Sequence, residues 1–389
     1  MKNYWLLKVN LNFEIYFLYG KIYSWFNMKK INYKVLIMII LSLIAIIFVY
    51  NDYFLYNMPI LKVKKIENVV NESSLYKEEY LDQTIKGTIM NGKYKGKELT
   101  ITNLSSSSEV FDIRIEKGTE VFVNLNSNGD FVSIQNIKRD KYLMILLVVF
   151  IDSMLLVAGK KGVKTLLSLF INIVLTSLAI MFFKRYFRNI NMLILYIIVS
   201  ILFIVLSLFI TNGKSKKTLS AIVSSILSLF ISFGLSFTLI KLFGKDLFIW
   251  SMEYIEAVHD YQNFFYTSIL LCGLGAIMDI AITISSSLYE LIEKNPNIEK
   301  KALISSGKEI SKDIVGTMSN VMLFTVFTPV LPSILLAIKD HILLMNAIDI
   351  YGQLELVTVL CACISIVLTI PVSLYTSVYI LKGKEERKW

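Results

Sequence analysis

Seven stretches of this chain, at about 142–158, 164–183, 191–211, 219–240, 264–289, 314–338 and 356–381, are apolar along nearly their whole length. An eighth occupies 31–50. Each approaches the roughly 20 residues that an α-helix needs to cross hydrocarbon. In a bilayer the backbone must satisfy its own hydrogen bonds, so long apolar runs of this kind are expected to be helices. Composition agrees: 55% of the residues are hydrophobic and the mean hydropathy is +0.61, above what a soluble domain carries. The expected class is a polytopic α-helical membrane protein of about eight transmembrane helices, with the lipid bilayer as its medium.

A formal charge of +10 could point to nucleic acid. Here the cations sit in short clusters between apolar runs, which is the positive-inside pattern and excludes a nucleic-acid stripe. Lys160, Lys161 and Lys164 share one loop, Lys214, Lys216 and Lys217 another, Lys294, Lys300, Lys301, Lys308 and Lys312 a third, and Lys382, Lys384, Arg387 and Lys388 end the chain. Lys184, Arg185 and Arg188 oppose the bias, while the loop at 241–263 carries Asp246, Glu253, Glu256 and Asp260. The balance predicts a chain in the cytoplasmic membrane with both termini cytoplasmic and residues 51–140 outside. Tyr186, Trp250, Tyr254 and Tyr261 suit the membrane interface.

Residues 1–30 leave two readings open: a surface-lying amphipathic segment over 4–26, or a start at Met28, whose charged opening resembles an export signal. Segment 31–50 has no small-residue cleavage site after it and reads as an uncleaved anchor. Residues 141–381 form the seven-helix membrane domain and 382–389 a basic tail.

Residues 51–140 differ in kind. Short alternating runs at 84–90, 99–103, 110–116, 120–126 and 131–137 read as strands. Gly92, Gly96, Gly118 and the 126–130 stretch supply turns. Five such strands predict a small all-β domain, an OB-like or SH3-like barrel.

The chemistry is concentrated in two polar interruptions. Along 271–290, the positions Cys272, Ala276, Asp279, Thr283, Ser286 and Glu290 recur at helical spacing and form one small-and-polar stripe. An acid inside a membrane helix is costly and normally faces a bundle interior or a water-filled cavity; the bland reading of the stripe is close helix packing through small residues. The second interruption, 305–320, places Asp313, Gly316, Thr317 and Asn320 on one face. At a rise of about 1.5 Å per residue, Asp279 and Asn320 fall at similar depth and could share a hydrogen bond. Asp152 is a second intramembrane acid. Glu355 opens the last segment, where an acid at a helix N-terminus needs no special role. Pro329, Pro332 and Pro371 can kink or break their helices.

Soluble-enzyme motifs are missing: there is no phosphate-cradling glycine loop, no HExxH and no GxSxG. Cys272, Cys361 and Cys363 all lie in apolar runs, so no disulfide framework is expected. His259 and His341 stand alone, which makes a structural zinc improbable. No cofactor and no catalysis are expected.

The run from Gly275 through Asp279 and Glu290, then Asn295-Pro296, Ser306-Gly307 and the Asp313–Asn320 stretch, resembles the signature of the YibE/F-like bacterial membrane proteins. The resemblance extends through 95–100 and 116–123 and covers roughly 80–380. Thr119 stands where the family has an acid, and 321–327 is bulky where the family is small and polar. The resemblance implies a polytopic membrane protein and supplies no substrate.

Two functions are expected from different classes. In the first, a permease carries a cation or a proton-coupled small solute through a polar site of Asp279, Thr283, Ser286, Glu290, Asp313, Thr317 and Asn320, with Asp279 as carrier or counter-charge. In the second, a non-transporting scaffold or sensor binds a partner through its outer β domain. A second copy of the chain or a paralogous membrane protein is the expected assembly partner. An intramembrane enzyme ranks last, because no nucleophile–base pair is in evidence.

Overall fold

A computed structural model describes residues 33–72, 79–106, 113–126, 128–186, 191–243, 261–339 and 342–382. Segment 1–30, the tail beyond 382, the acidic loop residues Asp246, Glu253, Glu256 and Asp260, and both histidines lie outside these residues. The chain divides into two units, 1–159 and 160–389.

The first unit opens with helix α1 (Tyr33–Tyr50) and a 3-10 turn (Asp52–Leu55). Five strands follow: β1 (Ile60–Glu72), β2 (Glu79–Ile89), β3 (Glu98–Ser106), β4 (Glu120–Leu125) and β5 (Phe131–Ile137). They pair antiparallel in the order β3-β2-β1-β4-β5 and nearly close into a barrel. Leu61, Val63, Ile85, Ile101, Val121 and Val123 fill its interior. Gly87 pairs with Val63, and a Cβ there would stand 2.6 Å from the Lys62 carbonyl oxygen. Only glycine lets β1 and β2 approach this closely.

Two strands differ from expectation. β1 was not foreseen, because its lysines and glutamates mask the alternation and a bulge between Val63 and Lys65 shifts the register midway. Of the strand expected at 110–116, the described residues 113–116 are irregular. Side-chain amides hold them instead of a ladder. Gln83 Oε1 accepts from the Ile115 N–H at 2.9 Å, Gln83 Nε2 donates to the Ile115 carbonyl at 3.0 Å, and Asn103 Nδ2 donates to the Ile113 carbonyl at 2.8 Å.

A buried charged knot ties the barrel to the turn that follows α1 and to the chain leaving β5. Lys138, 3% exposed, bonds Asp52 at 2.7 Å and Asp140 at 2.6 Å, beneath the rings of Tyr53 and Tyr56. The Tyr53 hydroxyl donates to Glu120 at 2.5 Å, and Lys141 pairs with the same carboxylate at 2.6 Å. Burial works against the Lys138 ammonium, but its bonds to Asp140 and Asp52 outweigh that and hold its pKa above the ordinary lysine value. Burial, reinforced by Glu120, raises the Tyr53 phenol, which stays a donor.

Helix α2 (Asp140–Tyr186) is interrupted at Gly159, whose φ of 53° and ψ of −125° are not helical. Its two parts match the two apolar runs expected at 142–158 and 164–183 and belong to different units. In the first unit, Ser42 of α1 donates to Asp152 of α2 at 2.9 Å. That bond accounts for the second intramembrane acid.

The second unit continues with α3 (Met192–Asn212), α4 (Lys216–Phe243), α5 (Tyr261–Lys294), α6 (Lys300–Phe327), α7 (Leu331–Lys339), α8 (Leu344–Tyr351) and α9 (Gln353–Lys382). Among the described residues, six helices are long and apolar enough to cross a membrane, and Val35–Tyr50 is a shorter one. With α2 counted as two segments this is close to the expected eight. Pro329 lies within the 3-10 turn (Thr328–Val330) that separates α6 from α7, and Pro332 in the first turn of α7, whereas α9 runs unbroken through Pro371.

Two hydroxyl ridges organise this unit. Ser220, Ser224, Ser228, Ser232 and Ser236 recur every four residues on α4 and are at most 1% exposed. On α9, Cys361, Ser365, Thr369, Ser373 and Ser377 do the same and are also buried. Small side chains at this interval let helices approach where lipid offers no hydrophobic drive. Several of their hydroxyls reach back to backbone carbonyls, as Ser232 does to Ser228 at 2.7 Å and Thr369 to Ser365 at 2.6 Å. The ridges meet α5 at one junction: Ser377 Oγ lies 2.9 Å from Ser220 Oγ and 2.8 Å from Ser285 Oγ. Nearer the start of α5, a Cβ on Gly273 would touch Ser365 Oγ at 3.2 Å. Gly273–Ser365 and Ser285–Ser377 have the same sequence offset, so α5 and α9 run parallel and in step. Gly307 of α6 packs so tightly that a Cβ there would collide with Leu374 Cδ1.

Two outcomes test this packing. Lys138→Ala leaves Asp52 and Asp140 without their cation, at a cost of roughly 3–5 kcal/mol. Amide exchange in β4 and β5 of the full chain should accelerate by about two orders of magnitude or more, and unchanged exchange would refute the knot. Because the folded pKa of Lys138 is raised, its contribution is present below the ordinary lysine pKa and fades only as pH rises through the folded value. The barrel's protease resistance should therefore be the same at pH 7 and pH 9. In the second unit, Ser377→Ala should cost only about 0.6–1.7 kcal/mol. Ser377→Leu overfills the junction and should lower the detergent melting temperature far more; equal effects would count against a close-packed seam.

Candidate functional site

The ridges decide which side of α5 is inward. Its buried side carries Leu274, Ile277, Ile280, Ala281, Ile284 and Leu288, all no more than 5% exposed. The polar stripe lies on the other side. Asp279, Thr283 and Glu290 are exposed at the surface of the unit and Ser286 is half-buried. Only Ala276, 8% exposed, leans into the core. On α6, Leu303, Gly307 and Ser311 are buried, and Ile314, Met318 and Met322 pack against the same core as Ile280 and Ile284. Asp313, Gly316, Thr317 and Asn320 take the opposite, exposed face.

Both stripes are therefore continuous faces, as their spacing implies, and apart from Ala276 and the half-buried Cys272 and Ser286 they are not used to pack α5 or α6 into the unit. Thr317 Oγ1 donates to its own helix at the Asp313 carbonyl, 2.6 Å away. No hydrogen bond joins Asp279 to Asn320. The structure groups Asp279, Thr283, Ser286 and Glu290 along one helix face and Asp313, Thr317 and Asn320 along another, without direct bonds between the two sets among the described residues.

A cleft of about 500 Å³ lies at the head of the α5 stripe. Ser268 and Cys272 of α5 line it; Ser268 is one helical turn before Cys272, so the cleft continues the face that carries Asp279. Met192 and Tyr196 of α3 and Val326 of α6 line it as well. Glu355 and Thr358, in the first turns of α9, complete the polar part of the lining. Among the described residues Glu355 is the one acid lining the cleft, and it makes no hydrogen bond or ion pair with any of them. Thr267 and Thr358 hydroxyls donate to the carbonyls of Asn263 at 2.6 Å and Leu354 at 2.9 Å, which leaves their lone pairs free to accept.

Sequence reasoning set Glu355 aside as a helix-end acid. The signal that could have found it is the parallel register of α5 and α9, which brings the start of α9 level with the start of α5. No group of three or more metal-ligating side chains occurs among the described residues. The site's chemistry is that of isolated carboxylates separated by hydroxyls: Glu355 at the head, Asp279 midway and Glu290 at the foot.

Comparison with curated proteins and with solved structures gave no match. Two family models do match. The YibE/F family N-terminal domain covers residues 54–138, which contain all five strands, and the YibE/F-like protein model covers residues 146–383, which contain every site residue described above. The chain belongs to the YibE/F-like family of proteins.

Proposed function

We propose that this chain is a permease of a bacterial cytoplasmic membrane, moving a cation or a proton-coupled small solute along the polar face of α5. One observation carries the reading: α5 is apolar and buried on one side, and on the other it exposes Asp279, Thr283 and Glu290 within a membrane-length helix. An acid at that depth is stable only beside water or a polar partner. Asp279 lies 18 residues into α5, about 27 Å along its axis at the usual rise, far from either end.

The rest of the path is built from parts already described. The exposed face of α6 adds Asp313, Thr317 and Asn320. A second copy of the chain closes both faces against lipid, since nothing in the second unit covers them among the described residues. Asp279 serves as proton carrier or as counter-charge to the cargo, and Thr283 and Ser286 offer oxygens towards Glu290. The clustering of basic residues in alternate loops supports a topology with both chain ends in the cytoplasm and the barrel outside.

Asp279→Asn in proteoliposomes should cut flux at least about tenfold across a panel of protons, potassium and methylammonium, with the melting temperature unchanged. Unaltered flux, or loss of folding instead, would leave the face a packing surface. Accessibility gives a second check. With the three cysteines replaced by alanine, Thr283→Cys and Thr317→Cys should react with a charged, water-borne methanethiosulfonate, and Ile284→Cys should not. If Thr283→Cys reacts only with a lipid-soluble reagent, the path is absent.

A further inference from the structure

We infer that the cleft at the head of α5 is a recognition site for a small organic ammonium ion, with Glu355 as its counter-charge. The inference rests on the permease reading only for what becomes of the ligand after it binds.

The chemistry of the lining selects the class. The cleft, at about 500 Å³, is within the range of small-molecule sites. Among the described residues a single carboxylate and no cation line it, so an anion is repelled and a monopositive ligand is neutralised. A hard metal ion is poorly served. Calcium takes six to eight oxygens and magnesium a near-octahedral shell, whereas Glu355 brings one carboxylate beside a few hydroxyls.

The remaining lining is what an inorganic ion has no use for. Tyr196 and Phe264 present aromatic rings, and Met192, Leu271 and Val326 present apolar surface. Aromatic faces attract a desolvated cation, and quaternary ammonium groups are bound in this way. The alkyl substituents of such a cation would lie on the methionine, leucine and valine while its charge faces Glu355. Ser268 and Cys272 in the lining lead on towards Asp279, so a ligand held here is already at the head of the polar face.

Tetramethylammonium chloride is the probe, added to the full chain in lipid nanodiscs and followed by calorimetry, with potassium chloride and sodium acetate as comparators. Saturable binding of tetramethylammonium is expected, with potassium at least about a hundredfold weaker and acetate without effect. Glu355→Gln should weaken it by tenfold or more. Ser268→Phe, which adds bulk to the lining and leaves the charge, should weaken it as well, so the result does not depend on one variant folding. No saturable binding by the unaltered chain, or equal binding by both variants, overturns the site. Binding without any ion flux in proteoliposomes would sink the permease reading and leave the cleft standing. Flux of other cations without tetramethylammonium binding would do the reverse.

Discussion

The hydroxyl junction of Ser220, Ser285 and Ser377 fixes the rotation of α5, and the rest of the second unit depends on that rotation. Between helices in lipid, apolar side chains give no preference for one neighbour over the tails around them. Orientation has to come from close approach and from polar groups that cannot be left in hydrocarbon. The ridges on α4 and α9 supply both. Because Gly273 and Ser285 are held against Ser365 and Ser377, Leu274, Ile277, Ile284 and Leu288 are carried inward. Asp279, Thr283 and Glu290 are carried outward. Turning α5 by half a revolution would bury three polar side chains and break the junction together.

The grouping of these residues was legible in the sequence and their direction was not. Periodicity reports which side chains share a helix face; it does not say what lies opposite. Asp279, Thr283 and Glu290 share a face as their spacing implies, and so do Asp313, Thr317 and Asn320. What sends those faces outward is written elsewhere, in the four-residue repeats at 220–236 and 361–377, which pass as ordinary apolar segments when each is read alone. Glu355 was overlooked for a related reason. Its neighbours Ser268 and Cys272 are remote in sequence and come near only because α5 and α9 run parallel and in step. The barrel shows the same limit. β2 to β5 stood out by alternation and turns, while β1 was hidden by charge and a bulge, and the strand expected across 110–116 gives way, in its described part, to the amides of Gln83 and Asn103.

In the first unit, ion pairs of two very different kinds stand close in sequence. Lys64–Glu98 is short at 2.8 Å but lies in water, its side chains 60% and 75% exposed. Such a pair contributes little, since solvent screens it and two long side chains must be ordered to make it. Lys138 with Asp52 and Asp140 is shielded and hydrogen-bonded on several sides. Pairs of that type add little over an apolar substitute, yet breaking one is costly. The arrangement therefore acts as a constraint more than as a source of stability. It leaves one low-energy way for the end of β5 and the start of α2 to meet the turn after α1.

Spacing along α5 bears on what such a face could carry. From Cys272 in the lining of the cleft to Asp279 is seven residues, about 10 Å, and from Asp279 to Glu290 is eleven, about 16 Å. No cation can touch two of these carboxylates at once. A divalent ion would have to give up most of its ligands at each move and wait in the gaps with only the hydroxyls of Thr283 and Ser286 for company. A singly charged ion or a proton needs one counter-charge at a time and is less costly to strip of water. If the proposed permease reading holds, widely separated single acids on an otherwise apolar helix would favour monovalent cargo, and the aromatic and aliphatic side chains lining the cleft with Glu355 would favour ions with an apolar exterior.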